Sequence, residues 1–362
     1  MKYIKGLDTL RALAVTVVII AHWWLPLDIN EANKNIVFWI HGLIPDGGFG
    51  VDLFFVLSGF LITSILLDAV KNNDKPTLNI IVNFMVRRAL RIFPIYYLSL
   101  IVLIYMGYPY IKDNLLWFAL YISNIQIFEL RSFNAFSHTW SLAVEEQFYL
   151  VWPWFIVFIR KQYVKFVFFA AILIGILTSV YVMKIQQNWA GYVLTPVCMQ
   201  AFGIGGLYAY LTKTGDRAIF FKFIKLAFPL SVFLHFYWAF SPDSSVGYEF
   251  LFITINSIIS IWLIDKVINN KLVWVKKYVL ENRAFNKIGQ ISYGIYLYHF
   301  ALEFVYKKLI QLLFSTHIET ETFLLDWKNS YFIRLALLFI ISLGSFYLIE
   351  KPILKLKKYF NY

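Results

Sequence analysis

The chain has 362 residues, of which 60% are apolar, 20% aromatic and 15% charged. The mean hydropathy of +0.65 argues against an ordinary soluble domain and predicts an all-α protein that crosses a membrane several times. The formal net charge of +12 would suit a nucleic acid partner, but in a membrane protein the location of the basic residues decides what the charge means.

In chain order, ten apolar runs are long enough to span a bilayer. They are residues 7–27, 48–70, 89–106, 143–160, 164–183, 195–213, 219–240, 246–265, 290–313 and 331–350. The first run lacks a small-residue cleavage site, so we expect a retained helix and not a signal peptide. A further run at 115–128 is too short for a hydrocarbon core of about 30 Å at about 1.5 Å per residue, and it predicts a re-entrant or interfacial helix.

The basic residues predict the orientation of these helices, because Lys and Arg accumulate in short cytoplasmic loops. With ten spans and a cytoplasmic N-terminus, the inner segments hold 25 of the 33 basic residues and leave 8 outside. Counting the run at 115–128 as a full span would reverse every later loop and move the basic tail outside. We therefore predict that both termini are cytoplasmic, and the charge needs no nucleic acid to explain it.

The ionisable residues Arg11 and His22 lie within the first run. The eleven steps between them make just over three turns of helix, so both lie on one face, about 16 Å apart along the axis. Such residues at membrane depth are costly and usually functional. The alternatives are that Arg11 is an anchor reaching the membrane surface and that His22 is bonded to a neighbouring helix.

Further ionisable residues fall at the predicted depth of His22. Asp52 lies at the outer end of the second span, and Glu145 and Glu146 begin the fourth span just after His138. A carboxylate beside a histidine fixes its tautomer and raises its basicity for general-base work. Glutamates in a first helical turn also complement the helix dipole, which is the structural alternative.

The ninth span carries a polar stripe. Its residues follow one another at intervals of four, three and four, and they are Ser292, Tyr296, His299 and Glu303. Residues at this spacing share one face of a helix. A histidine in the middle of a span, followed one turn later by a glutamate, predicts that this face lines a cavity.

Three arginines in "VRRALRIFPIYYL", Arg87, Arg88 and Arg91, lie at the predicted cytoplasmic end of the third span. Guanidinium groups bind phosphate bidentately, although ordinary positive-inside charge or contact with anionic lipid would also explain them. Together with Arg11 they predict a basic inner end opposite a histidine–carboxylate outer end. That layout suits an enzyme with a phosphorylated donor inside and an acceptor outside, and equally a proton-coupled transporter or a flippase of a lipid-linked or small solute.

Five motifs, in this order along the chain, resemble those of the acyltransferase family 3 membrane proteins, which acylate bacterial glycans and other envelope or exported molecules. They are the Arg11 and His22 pair within "KGLDTLRALAVTVVIIAH", then "GVDLFFVLSGFLIT", "RRALRIFPIYYL", "SHTWSLAVEEQFYL" and "ISYGIYLYHF". Some members of the family carry an added esterase-like domain. We expect residues 1–362 to be a single membrane acyltransferase domain without it.

The resemblance implies transfer of an acyl group, most often acetyl, from cytoplasmic acyl-coenzyme A to a hydroxyl of a glycan or other exported acceptor, without a metal, in the inner (cytoplasmic) membrane. It makes His22 the candidate general base or acyl carrier, with Glu145 or Glu146 orienting it or handling protons. The residues that it assigns to the coenzyme A phosphates are Arg11, Arg88 and Arg91. Those that it assigns to the path or the acceptor site are Asp52, His138, Tyr296 and His299.

Overall fold

The computed structural model describes residues 5–23, 38–39, 42–72, 76–134, 136–240, 249–269, 278 and 280–361. Within these ranges the secondary structure is helical and contains no strand, as the sequence predicts. The α-helices are α1 (Lys5–His22), α2 (Gly47–Asn72), α3 (Thr77–Tyr105), α4 (Leu115–Ala119), α5 (Ser123–Leu130), α6 (Trp140–Phe158), α7 (Lys161–Ser179), α8 (Thr195–Thr214), α9 (Arg217–Phe240), α10 (Phe252–Ile268), α11 (Arg283–Gln290), α12 (Ser292–Phe314), α13 (Ile318–Leu325), α14 (Trp327–Ser345) and α15 (Lys351–Leu354).

Each of the ten apolar runs coincides with a helix, and the differences lie at the ends. Helix α3 begins at Thr77, well before residue 89, because its first turns bury Ile80, Ile81 and Phe84 and because arginine is a good helix former. The ends of two other predicted spans, residues 24–27 and 246–248, lie outside the described residues.

Five helical segments of the described chain are long and apolar enough to cross a membrane: Gly47–Lys71, Thr77–Tyr105, Lys161–Ile185, Phe220–Phe240 and Trp327–Tyr359. Several of the other predicted spans carry polar side chains, as α6 does with Glu145 and Glu146, and α10 has only 17 residues. The chain is therefore a multi-pass membrane protein. The number of ten spans and the cytoplasmic position of both termini stay predictions.

The short run at 115–128 forms two helices instead of one. Helices α4 and α5 are separated by Tyr121, whose φ of 53° lies in the left-handed region. With five and eight residues, and about 1.5 Å per residue, neither can cross a bilayer. Polar contacts tie the pair to α6, because Gln147 Nε2 donates to the Tyr121 carbonyl (2.8 Å) and to Asn124 Oδ1 (3.0 Å).

Helix α2 lies at the centre of the bundle and contacts α1, α6, α8 and α10. Its contact with α8 depends on two glycines. A Cβ atom on Gly59 would lie 2.3 Å from the Phe202 carbonyl oxygen, and one on Gly205 would lie 2.2 Å from the Val56 carbonyl oxygen. The two backbones therefore touch directly, as is common where small residues face each other between membrane helices. This contact fixes α2 in place, and other faces of α2 line two cavities.

Candidate functional site

A cavity of about 100 Å³ lies between α1, α2, α3, α6 and α12. The three arginines that the resemblance assigns to the coenzyme A phosphates line it: Arg11, Arg88 and Arg91. Glu145 and Tyr296 line it as well. We call this space the arginine cavity. It brings together residues from five helices that are far apart in the sequence.

The geometry of α3 decides which arginines reach the cavity. Arg88 and Arg91 are three residues apart and share one face of the helix. Arg87 faces the C-terminal segment instead, where its Nη1 donates to the carbonyl oxygens of Lys357 (2.8 Å) and Phe360 (3.1 Å). The tail is thereby tied to α3, and two of the three arginines in the motif are left to line the cavity.

The lining of the arginine cavity carries more positive than negative groups. Arg11 enters from α1, where it is held by an ion pair with Asp8 one turn earlier. Of the described residues that line the cavity, Glu145 is the one carboxylate facing three guanidinium groups. Such a concentration of forked donors suits a ligand with several phosphate oxygens.

Both oxygens of Glu145 are engaged within the cavity wall. Ser58 Oγ donates to Oε1 (2.8 Å), and the Tyr149 hydroxyl donates to Oε2 (3.0 Å). The Arg88 guanidinium lies 5.4 Å from the centre of the Tyr149 ring. The sequence predicts that Glu145 or Glu146 orients His22, whereas the structure places Glu145 with the arginines. Glu146, about 100° further round α6, does not line the cavity, and its buried Oε1 has no hydrogen-bond partner among the described residues.

Three histidines meet one helical turn beyond Tyr296, which lines the arginine cavity. His299 Nε2 lies 3.0 Å from His22 Nδ1, and the two rings stack with their centres 5.1 Å apart. The His138 ring approaches His299 edge-on at 4.7 Å. His138 and His299 are buried, while the His22 side chain is exposed. Accordingly, His22 is the most accessible member of this histidine cluster.

The hydrogen bonds of the cluster determine the tautomers. His299 Nδ1 lies 2.6 Å from the Tyr296 carbonyl oxygen. Because a carbonyl oxygen only accepts, Nδ1 must carry the proton, and in a neutral ring Nε2 is then an acceptor. His22 Nδ1 must therefore donate to His299 Nε2, which leaves His22 Nε2 unprotonated. No described residue is hydrogen-bonded to that nitrogen, so His22 presents a free basic lone pair.

His138 supports the cluster without adding charge. It lies in a short turn ahead of α6, and its Nε2 donates to the Leu297 carbonyl oxygen (3.3 Å). Burial lowers the pKa of His138 to about 3, so its ring is neutral at physiological pH. The Tyr296 hydroxyl donates to the His138 carbonyl oxygen (2.8 Å) and lies 2.6 Å from Ser141 Oγ. Because Tyr296 and Ser141 also line the arginine cavity, they connect it to the histidines.

Asp52, which the resemblance assigns to the path or the acceptor site, lies apart from the histidine cluster. Asn256 Nδ2 donates to Asp52 Oδ2 (2.8 Å), and His235 Nδ1 donates to Asn256 Oδ1 (2.9 Å). Asp52 lines a second cavity of about 590 Å³, which we call the aromatic cavity. Val51 lines both cavities, so the two spaces are neighbours.

The structure adds polar residues that the sequence reasoning passed over. Ser58 and Tyr149 hold Glu145, and Ser141 contacts Tyr296. One signal was available, since Tyr149 follows Glu145 by four residues and must share its face of the helix. No group of three or more His, Cys, Asp or Glu residues in the described ranges could hold a metal ion.

Comparisons with known proteins assign the chain to a family. A family model described as an acyltransferase domain matches residues 4–351. "Putative O-acetyltransferase SACOL0978" of Staphylococcus aureus strain COL is 29% identical over 98% of this chain and 58% of its own length. Peptidoglycan O-acetyltransferase OatA of Listeria monocytogenes is 29% identical over 98% of this chain and 56% of its own length.

The chain thus spans little more than half the length of the curated relatives that it matches. No solved structure matches it. The family model nevertheless covers almost all of the chain, including α1, α2, α3, α6 and α12, which form the arginine cavity and the histidine cluster. The protein therefore belongs to the acyltransferase 3 family.

Proposed function

We propose that the protein is a membrane O-acyltransferase that moves an acyl group, in the first instance acetyl, from acyl-coenzyme A to a hydroxyl of a cell-envelope glycan. The observation that carries the proposal is the free Nε2 of His22, held by His299 one turn beyond a cavity lined by three arginines. The relative from Listeria monocytogenes supports an acetyl group and a glycan acceptor, because its name describes a peptidoglycan O-acetyltransferase.

The arginine cavity is the proposed place for the donor. Coenzyme A carries several phosphate groups, and Arg11, Arg88 and Arg91 offer the forked donors that bind phosphate. A space of about 100 Å³ is smaller than the 300–1,000 Å³ of typical ligand pockets, so it holds one part of the molecule. We assign the phosphate-bearing part to the arginines and direct the thioester arm past Tyr296 towards the histidines.

The chemistry proposed at the histidines is general-base acyl transfer. His22 Nε2 takes the proton of the acceptor hydroxyl as that oxygen bonds to the thioester carbonyl carbon. The carbon–sulfur bond then breaks, and the leaving thiolate receives the proton back from His22. The ester and free coenzyme A are the products, and His22 returns to its starting tautomer. We place the donor on the cytoplasmic side of the cytoplasmic membrane, with the acceptor on the outer side.

The test uses membranes with and without the protein, supplied with acetyl-CoA labelled in the acetyl group. We expect label in extracted glycans or lipid-linked sugars, released by mild alkali as an ester, when the protein is present. Absence of such label would contradict the proposal. Uptake of a solute by proteoliposomes without acyl-CoA, in the absence of labelled ester, would instead indicate transport.

The hydrogen bond between His299 and His22 predicts a graded effect of substitution. His299→Leu removes the acceptor for His22 Nδ1, and we expect acyl transfer to fall by about tenfold or more, the usual cost of stranding a donor. His299→Gln places an amide oxygen near the former Nε2 and is expected to retain most of the activity. Initial rates at saturating donor and acceptor measure this. Equal losses in both variants, with both proteins folded, would mean that the ring acts by packing alone.

A further inference from the structure

The aromatic cavity differs in character from the arginine cavity. Its aromatic lining consists of Trp140, Trp189, Tyr192, Trp238 and Phe252. Its polar lining includes two carboxylates, Asp46 and Asp52, but no Lys, Arg or His among the described residues. At about 590 Å³ it falls within the 300–1,000 Å³ range of pockets that bury a small ligand.

The two carboxyl groups in this wall restrict which ligands can bind. Asp46 Oδ1 accepts from the backbone amide of Phe49 (2.7 Å) as a cap of α2, and Asp52 Oδ2 accepts from Asn256. Each carboxyl group retains acceptor capacity, because its two oxygens together offer more lone pairs than these single hydrogen bonds use. A phosphorylated or acidic ligand would place further acceptors against these oxygens, and a lipid chain would leave their remaining lone pairs without a partner, which is costly. The wall therefore favours an uncharged ligand rich in hydroxyl donors.

The aromatic residues of the lining restrict the shape of the ligand that fits. Trp189 is 49% exposed, and Trp140 packs edge-on against Tyr192 with ring centres 5.6 Å apart. Flat aromatic faces pack against the C–H face of a ring-shaped ligand, and indole N–H groups donate to its oxygens. Trp238 Nε1 is a buried donor with no acceptor among the described residues. Aromatic faces combined with carboxylates match a sugar ring, which presents a C–H face and a rim of hydroxyl groups.

The position of the cavity connects it to the reacting centre. Gly48, Val51 and Asp52 of α2 line it, and Val51 also lines the arginine cavity. A Cβ atom on Gly47 would lie 3.1 Å from the Ala21 side chain, next to His22 on α1. A ligand in the aromatic cavity is thus adjacent both to the proposed donor path and to the helix end that carries the proposed base.

We infer that the aromatic cavity is the acceptor subsite and binds one or more neutral sugar units of the glycan, stacked on Trp189 and hydrogen-bonded by Asp52. The inference rests on the proposed function, since it supplies that reaction with the site for its second substrate. It also makes a separate claim, that this chain binds neutral oligosaccharides without any donor present.

Calorimetric titration of the full chain in lipid nanodiscs, without acyl-CoA, tests this claim. The probes are tetramers of β-1,4-linked N-acetylglucosamine, of glucose and of mannose, with a galacturonic acid tetramer as the acidic comparison. We expect saturable binding of at least one neutral tetramer and none of the acidic one. Trp189→Ala should weaken that binding by about tenfold, which is the scale of one aromatic contact, and Trp189→Phe should largely restore it.

Two further variants make the result specific. Asp52→Asn keeps the size of the side chain and should weaken binding, because it replaces one carboxyl oxygen with an amide nitrogen that cannot accept a hydrogen bond. Trp154→Ala is the matched control, because Trp154 is 44% exposed on α6 and does not line the cavity. Absence of binding by every neutral tetramer, or unchanged binding in both Trp189→Ala and Asp52→Asn, would overturn the inference. Because no donor is present, loss of acyl transfer in the separate activity assay bears on the proposed function and leaves this result intact.

Discussion

Replacing His22 by alanine is expected to lower acyl transfer by about 10²- to 10⁴-fold, the usual contribution of a general base. The physical reason is that His22 Nε2 is the free basic nitrogen that the hydrogen bonds of His299 leave available. His22 is the last residue of α1 and the most exposed of the three histidines, so the His22→Ala protein should remain folded. Initial rates of ester formation at saturating acetyl-CoA, with donor affinity measured separately, give the result.

The control for this experiment is another exposed histidine. His317 lies ahead of α13 and lines neither cavity, so His317→Ala should keep the wild-type rate. A His22→Ala protein that retains activity within about tenfold of wild type would remove His22 from the base role, since base catalysis contributes more than that. Label that stays on wild-type protein without acceptor, but not on His22→Ala, would indicate a covalent acyl-histidine step.

The helical architecture and the arginine cluster could be predicted from the sequence for simple physical reasons. Apolar runs of spanning length have few other stable forms in a bilayer, and helical periodicity puts Arg88 and Arg91 on one face. The structure brings Arg11 to the same cavity. These predictions need only the spacing of residues within one helix and their depth in the membrane, and both follow from a single sequence.

The side chains that contact each other across neighbouring helices could not be predicted in this way. The predicted depth of Glu145 in the membrane matches that of His22. The orientation of α6 about its own axis, however, directs Glu145 towards Ser58 and the arginines. His299, which the resemblance assigns to the path or the acceptor site, lies against His22. Asp52 shares a helix with Ser58, yet it faces a different cavity. Helix rotation depends on packing such as the glycine contact between α2 and α8, and no periodicity within one segment reveals it.

The second large effect concerns the donor. Replacing Arg88 or Arg91 by glutamine is expected to raise the KM for acetyl-CoA by about 10- to 100-fold, because each charged hydrogen bond to phosphate contributes about 1.5–3 kcal/mol. The value of kcat should change little, since these contacts hold the donor equally in the ground state and the transition state. Steady-state rates over a range of acetyl-CoA concentrations, at saturating acceptor, separate the two parameters.

Comparison with Arg87→Gln distinguishes phosphate binding from a general loss of positive charge. Arg87 is adjacent in sequence but contacts the C-terminal segment, so its removal should lower thermal stability and leave the KM for acetyl-CoA unchanged. Acetyl-CoA lacking the 3′-phosphate sharpens the comparison further. If a replaced arginine binds the 3′-phosphate, the variant's KM does not rise further with the shortened donor. The KM of the other variants rises with the shortened donor as it does for the wild-type protein. Equal KM increases in all three variants would mean that the charge acts at long range and that the arginine cavity does not hold the donor.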